Sequence, residues 1–224
     1  MAAARDYRLS LHRARYLLLT HADSDHLHRE NFDQHRPRWA QPEIPTLHVH
    51  GSDATLDVIR AYPWSPTEMR VELHVVAPGQ TWELGPYRVT AVRALHTEAQ
   101  HPLCYVVQEG DVALLYATDT GAFFPETWEV LDRLKSAGVR LHAAVIEATS
   151  GLRETAVEAG HMNLARCAEH HQLLRQRGLA SADCVHLATH FSPNGAPLHE
   201  ETEAFLAPSG VLPAYDGLAL TVPG

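Results

Sequence analysis

Hydrophobic and polar positions along this chain switch between the period of strands and the period of helices. Arg13 to Thr20 (RARYLLLT) is a short apolar run of the kind that forms a buried strand. Leu47 to His50 is a second. Ser52 follows as a candidate N-cap for a helix running to about Tyr62, where Pro63 stops it. From Val71 to Gly121 the pattern is β-rich: VELHVVA, TWEL, YRVTAVRAL, LCYVVQEG and VALLYAT are parted by PGQ, GP, HTEAQHP and EGD, the last a hairpin signal. Pro125 suits the first turn of a helix, in which Trp128, Leu131 and Leu134 recur at helical spacing and which Gly138 ends. LHAAVIEA reads as another buried strand. Asn163 is an N-cap for a helix to Arg177, with Leu164, Cys167, Ala168, His171 and Leu174 on one face and Gly178 as its stop. CVHLATH is the next strand, Leu198 to Leu206 a short helix, and VLPAYDGLALTV a return to strand. With no repeat, low-complexity tract or linker, the order predicts a single α/β domain over residues 1–224, with a substantial antiparallel component.

Composition narrows the classes. The chain has 224 residues, 45 % hydrophobic and 20 % charged, which is globular rather than disordered. No apolar run approaches the ~18 residues of a membrane span, and MAAARDYRLS has no apolar core of a secretory signal. Cys104, Cys167 and Cys184 stand far apart with no CxxC, which argues against a disulfide framework and predicts a cytoplasmic protein. A net charge of -9 and the lack of a basic arm count against nucleic acid as a partner. The unusual number is 17 histidines, almost as many as the 18 Lys plus Arg, and it calls for a search for metal sites.

The informative histidines follow strands. Leu-Leu-Leu-Thr-His21-Ala-Asp23-Ser-Asp25-His26 puts four candidate ligands within six residues, just after an apolar run. Asp and His are also ordinary turn residues, and Asp25 has a second reading as a helix cap. Leu95-His96 ends YRVTAVRAL and alone reads as a surface histidine. Asp119 in Tyr116-Ala-Thr-Asp-Thr-Gly121 alone reads as a strand-to-turn junction, and His190 ends the strand before Phe191-Ser192. Together they matter more: four strand ends present His or Asp, and α/β folds build their sites there.

His21-Ala-Asp23-Ser-Asp25-His26 resembles the HxHxDH metal motif of metallo-β-lactamase-fold hydrolases, and His96, Asp119 in ATDTG and His190 in ATHFS stand where that superfamily places its later motifs. GHM (Gly160 to Met162) and AYDG (Ala214 to Gly217) extend the likeness over roughly residues 10 to 222. It is strongest to the phosphodiesterase branch, which includes cyclic phosphodiesterases of phosphonate breakdown and tRNA 3′-processing nucleases. The resemblance implies an αββα sandwich with mixed sheets and two divalent metal ions, Zn²⁺ first, with Mn²⁺ or Fe as alternatives. By carry-over, His21, Asp23 and His96 would hold one metal, Asp25, His26 and His190 the other, and Asp119 would bridge them. A metal-bridging hydroxide would be the nucleophile, with Asp25 and His161 as catalytic residues, His161 as general acid or phosphate donor.

Two departures stand out. The second His of the motif is Asp23, which adds negative charge and favours harder ions such as Mn²⁺ or Fe²⁺; it also resembles the HxExDH pattern of di-iron members. Only 20 residues precede His21, where the superfamily normally has further strands, so the fold is expected to be incomplete at its N-terminus. Ser192 and Asn194 are weaker phosphate-donor candidates in what also reads as a plain turn, and His199 reads as structural. His12, His28, His35, His48, His50, His74, His101, His142, His170, His171 and His186 read as surface or core, with no site role, and Trp39, Trp64, Trp82 and Trp128 as packing. The expected function is a metal-dependent hydrolase, a phosphodiesterase acting on a small phosphodiester-like substrate, not membrane-bound, with room for a homodimer. The alternatives are a di-iron redox or oxygen-handling protein, and a degenerate metal-binding scaffold without turnover.

Overall fold

A computed structural model describes residues 6, 7, 9–39, 44–156 and 158–222. Chain contacts divide it into two units: Met1–Ala77 with Ala99–Leu103, and Pro78–Glu98 with Cys104–Gly224.

The first unit is built on a parallel sheet of order β1-β2-β3, from β1 (Tyr16–Leu18), β2 (Leu47–Gly51) and β3 (Val71–Val75). The apolar run Arg13 to Thr20 pairs only over its middle, since β1 meets β2 in the register Tyr16↔His48 to Leu18↔His50. Helix α1 (Asp53–Arg60) begins where expected: the Ser52 hydroxyl accepts the Thr55 N–H at 3.2 Å. Leu47, Val49, Leu56, Ile59, Met69 and Val71 form its core with Leu19, Leu27 and Phe32. A 3₁₀ helix at Arg29–His35 was not foreshadowed by any pattern; it buries a single side chain, Phe32, too little to create a helical period.

The second unit carries a seven-stranded sheet of order β10-β9-β8-β7-β6-β5-β4. Its strands are β4 (Thr81–Leu84), β5 (Tyr87–Arg93), β6 (Leu103–Glu109), β7 (Val112–Ala117), β8 (Leu141–Glu147), β9 (Ala180–Thr189) and β10 (Leu212–Pro213). The β4–β5 and β6–β7 pairs are antiparallel; β7–β8, β8–β9 and β9–β10 are parallel. The expected hairpin is present, with Gly110 at φ +56 between Glu109 and Val112, a left-handed position that suits glycine. Helices α2 (Pro125–Ser136), α3 (Leu164–Gln176) and α4 (His199–Leu206) lie where the sequence put them, and Asn163 caps α3 by accepting the Arg166 N–H at 2.9 Å. Leu115, Ile146, Leu164, Cys167, Leu174 and Leu206 are all fully buried in one core.

The tail departs from expectation. VLPAYDGLALTV contributes only Leu212–Pro213 as strand, because Pro213 has no N–H for a ladder and Tyr215 to Leu218 fold into a turn, Leu218 N–H to Tyr215 carbonyl at 3.0 Å, with Gly217 at φ +88. Among the described residues no helix is long and apolar enough to cross a membrane.

Candidate functional site

In the second unit, β7, β8 and β9 run parallel as neighbours, so their carboxyl ends lie side by side. The register Ala117↔Ile146 and Glu147↔Thr189 brings together the residues that follow each strand. Asp119, two residues past β7, and His190, one past β9, both sit at left-handed φ, +49 and +59. Asp and His adopt this backbone more readily than most residues, and such positions cluster at functional sites. Their side chains meet, Asp119 Oδ1 lying 3.1 Å from His190 Nδ1. Thr149 Oγ1 is 2.9 Å from the same nitrogen.

Between them stands Glu147, a residue the sequence reading passed over. Its carboxylate is 0 % exposed and accepts the backbone N–H groups of Thr120 and Thr149, each at 2.9 Å. Its Oε1 also lies 2.9 Å from His161 Nδ1, and Asp119 Oδ1 lies 3.3 Å from that nitrogen. Asp119, Glu147 and His161 thus form a group compact enough to hold a cation. A buried carboxylate is tolerated only when its oxygens are so occupied. The signal in the sequence was a lone acid inside the apolar run LHAAVIEA.

His96 ends the stretch after β5. Its Nδ1 is 3.2 Å from the Gly160 carbonyl, to which it donates, which fixes the orientation of the ring. Its ring is 4.7 Å from that of His161. Glycine is required at Gly121, where a Cβ would strike the Ala159 carbonyl, and a Cβ on Gly160 would press on His96 Nδ1 at 3.1 Å.

In the first unit the strand β1 delivers Thr20 and His21 into a turn. Thr20 Oγ1 is 3.0 Å from His21 Nδ1 and 3.5 Å from His26 Nδ1, and the two rings are 4.3 Å apart. With Nδ1 engaged, each ring presents Nε2, and in each case an aspartate oxygen lies 3.5 Å from it: Asp23 Oδ2 at His21, Asp25 Oδ2 at His26. Metal-ligating histidines commonly have the second nitrogen fixed in this way. Asp23 is held from its other side by Gln100, whose Nε2 donates to Oδ1 at 2.5 Å while its Oε1 accepts the Ala22 N–H at 2.7 Å. Gln100 too was missed, being 77 residues from Asp23. His21, Asp23, Asp25 and His26 are therefore together in one unit, and His96, Asp119, His161 and His190 in the other.

The weaker candidates find ordinary partners. The Ser192 hydroxyl accepts the Asn194 N–H at 3.3 Å and its carbonyl the N–H groups of Gly195 and Ala196, the plain turn. His199 packs edge-on to Tyr215 at 5.6 Å. The cysteines are free thiols, and burial pushes all three up, Cys184 to about 11 and the deeper Cys104 and Cys167 further, so none is a thiolate nucleophile near neutral pH.

Residues 2–186 match a family model described as the beta-lactamase superfamily domain, and the chain belongs to that family. Its fold is the metallo-β-lactamase fold, in a family that binds metals. Among solved structures, it is similar to the short form of human tRNase Z (TM-score 0.68, 17 % identity, covering 98 % of this chain and 83 % of that one). It is also similar to a diphosphatase of the PhnP family (0.65, 21 %, 94 % and 72 %). A third is the metallo-beta-lactamase fold protein YhfI from Bacillus subtilis (0.67, 16 %, 91 % and 76 %). No curated protein matches the chain by sequence.

Proposed function

We propose that this chain is a metal-dependent phosphodiesterase acting on a small phosphodiester-like substrate. The proposed ligands are those read from the sequence, His21, Asp23, Asp25, His26, His96, Asp119 and His190, for two divalent cations. The observation that carries the reading is the anchoring of the rings. His21, His26 and His96 each have Nδ1 beside a hydroxyl or carbonyl, which orients the ring so that Nε2 would be its ligand atom. Imidazole nitrogen and carboxylate oxygen suit Zn²⁺ first and Mn²⁺ or Fe²⁺ next. Such a pair of ions would acidify a bound water and carry charge on a phosphoryl oxygen.

The chain's own residues supply the rest. Asp119 brings a buried carboxylate, 2 % exposed, whose Oδ1 lies near His161 and His190 and which would bridge the ions. Asp25, mostly solvent-exposed, would take a proton from the attacking water. His161, braced at Nδ1 by Glu147, would in its protonated form donate Nε2–H to a phosphate oxygen or to the leaving group. Membership of a family made up mostly of hydrolases and likeness to a PhnP-family diphosphatase and a tRNase Z support the reaction class.

The test is turnover of bis(p-nitrophenyl) phosphate after removal of metal and return of Zn²⁺ or Mn²⁺. Hydrolysis that depends on the returned metal supports the reading; a folded, metal-loaded chain that cleaves no phosphodiester sinks it. A second reading, a di-iron oxygen-handling protein, rests on Asp23, whose Oδ2 lies 3.5 Å from His21 Nε2 where a neutral ligand is usual. Bound iron that reacts with oxygen would favour it.

A further inference from the structure

We propose a separate metal site on the three-stranded sheet of the first unit, formed by His48, Glu72 and His74, for one divalent transition-metal ion of the zinc type. It lies outside the ligand set given above and does not depend on it.

The site follows from the period of two. β2 reads Leu-His-Val-His-Gly and β3 Val-Glu-Leu-His-Val, and the pairing sets His48 opposite Glu72 and His50 opposite His74. Leu47, Val49 and Val71 enter the core on one face, so the other face collects three histidines and a glutamate. Their ligand atoms converge. His48 Nδ1 is 3.1 Å from His74 Nε2 and 3.3 Å from Glu72 Oε2, and the three atoms all lie within 4.8 Å of one another. Three ligands each ~2.0–2.2 Å from a tetrahedral ion stand ~3.3–3.5 Å apart, so small rotamer adjustments close the shell.

Hydrogen bonding serves this trio poorly. His48 Nδ1 has either one proton for two acceptors or one lone pair that Glu72 cannot use. A single cation satisfies all three atoms at once. The remaining neighbour braces the site: the His50 ring stacks on His74 at 4.5 Å and 13° and limits its rotation. The side chains of His48 and Glu72 are 35 % and 60 % exposed, which opens a path for the ion and leaves a fourth position for water. Two nitrogens and one oxygen are a zinc-type donor set. Bound there, the ion would fasten β2 to β3.

The experiment counts metal in the full chain. In a His26→Ala/His190→Ala variant, folded by circular dichroism, adding His74→Ala should lower the bound Zn²⁺ by about one per chain at neutral pH. Zn²⁺ should also slow carbethoxylation of His48 and His74 by diethyl pyrocarbonate in the unaltered chain, mapped by peptide mass; this needs no mutant to fold. Equal reaction of both histidines with and without Zn²⁺, or a stoichiometry that His74→Ala leaves unchanged, overturns the site. Failure of the phosphodiesterase reading alone would still leave one ion bound here in the unaltered chain.

Discussion

Glu147 Oε1 and His161 Nδ1 stand 2.9 Å apart, and the glutamate has no exposure to solvent. The same carboxylate ties the loop after β7 to the loop after β8 through Thr120 and Thr149. Glu147→Gln keeps the shape but turns an amide N–H₂ toward a group that also donates. The expected cost is about 1–3 kcal/mol of stability, seen as a lower melting temperature. Turnover of bis(p-nitrophenyl) phosphate should fall at least tenfold as His161 loses its brace. A variant with unchanged melting and turnover would show that the contact does nothing.

Asp119 allows a cleaner substitution than alanine. Its φ of +49 suits Asp and Asn far better than Ala, so Asp119→Asn should fold while losing the charge. The expected outcome is loss of at least one bound metal per chain and of hydrolysis, with near wild-type circular dichroism. Metal analysis and turnover on the same sample check it. Full metal content with full activity would remove Asp119 from the ligand set.

Gln100 tests whether Asp23 is positioned for a metal. It holds Asp23 Oδ1 at 2.5 Å and leaves Oδ2 toward His21. Removing such a supporting partner typically weakens metal affinity ~10–100-fold. Gln100→Ala should therefore raise the dissociation constant for Zn²⁺ by that factor, measured by competition with a chromophoric chelator. An unchanged constant would mean that Asp23 is a turn residue only.

These residues differ in how legible they were. His21, Asp23, Asp25, His26, His96, Asp119 and His190 follow apolar runs, and a strand end is visible in a linear pattern. The helices were equally plain, because Ser52 and Asn163 cap them and Pro125 opens one. Glu147 and Gln100 were not, because their meaning comes from pairing: one needs the parallel register of β7, β8 and β9, the other a contact across 77 residues. His48 and His74 read singly as surface or core, and Glu72 drew no reading, for the same reason, since only the β2–β3 register brings the three together. The tail misled because alternating apolar residues resemble a strand even where Pro213 and a turn end the ladder.

The last prediction concerns acid. His171 on α3 and His186 on β9 meet with their Nδ1 atoms 2.8 Å apart and their rings edge-on at 4.9 Å. His171 Nε2 lies 3.1 Å from the Leu187 carbonyl, to which it donates, so its Nδ1 is the acceptor and His186 Nδ1 the donor when both are neutral. Burial, and then the charge of His186, pulls His171 down to about 3; burial, and then Arg175, pulls His186 down to about 4. Unfolded, both would titrate near 6.5. Below that pH the unfolded chain takes up protons that the folded chain refuses. Their contribution to stability is therefore complete above about 6.5 and is lost as pH falls toward 4 and 3. For the deeply buried His171 the slope approaches ~1.4 kcal/mol per pH unit. Melting curves between pH 7.5 and 5 should show the temperature falling on the acid side. A His171→Leu/His186→Leu variant should flatten that fall, leaving the shares of His35 and His170, which burial pulls down, and of His50, which burial and the neighbouring His74 and His48 pull down to about 4. Equal slopes for the variant and the unaltered chain would show that acid acts elsewhere.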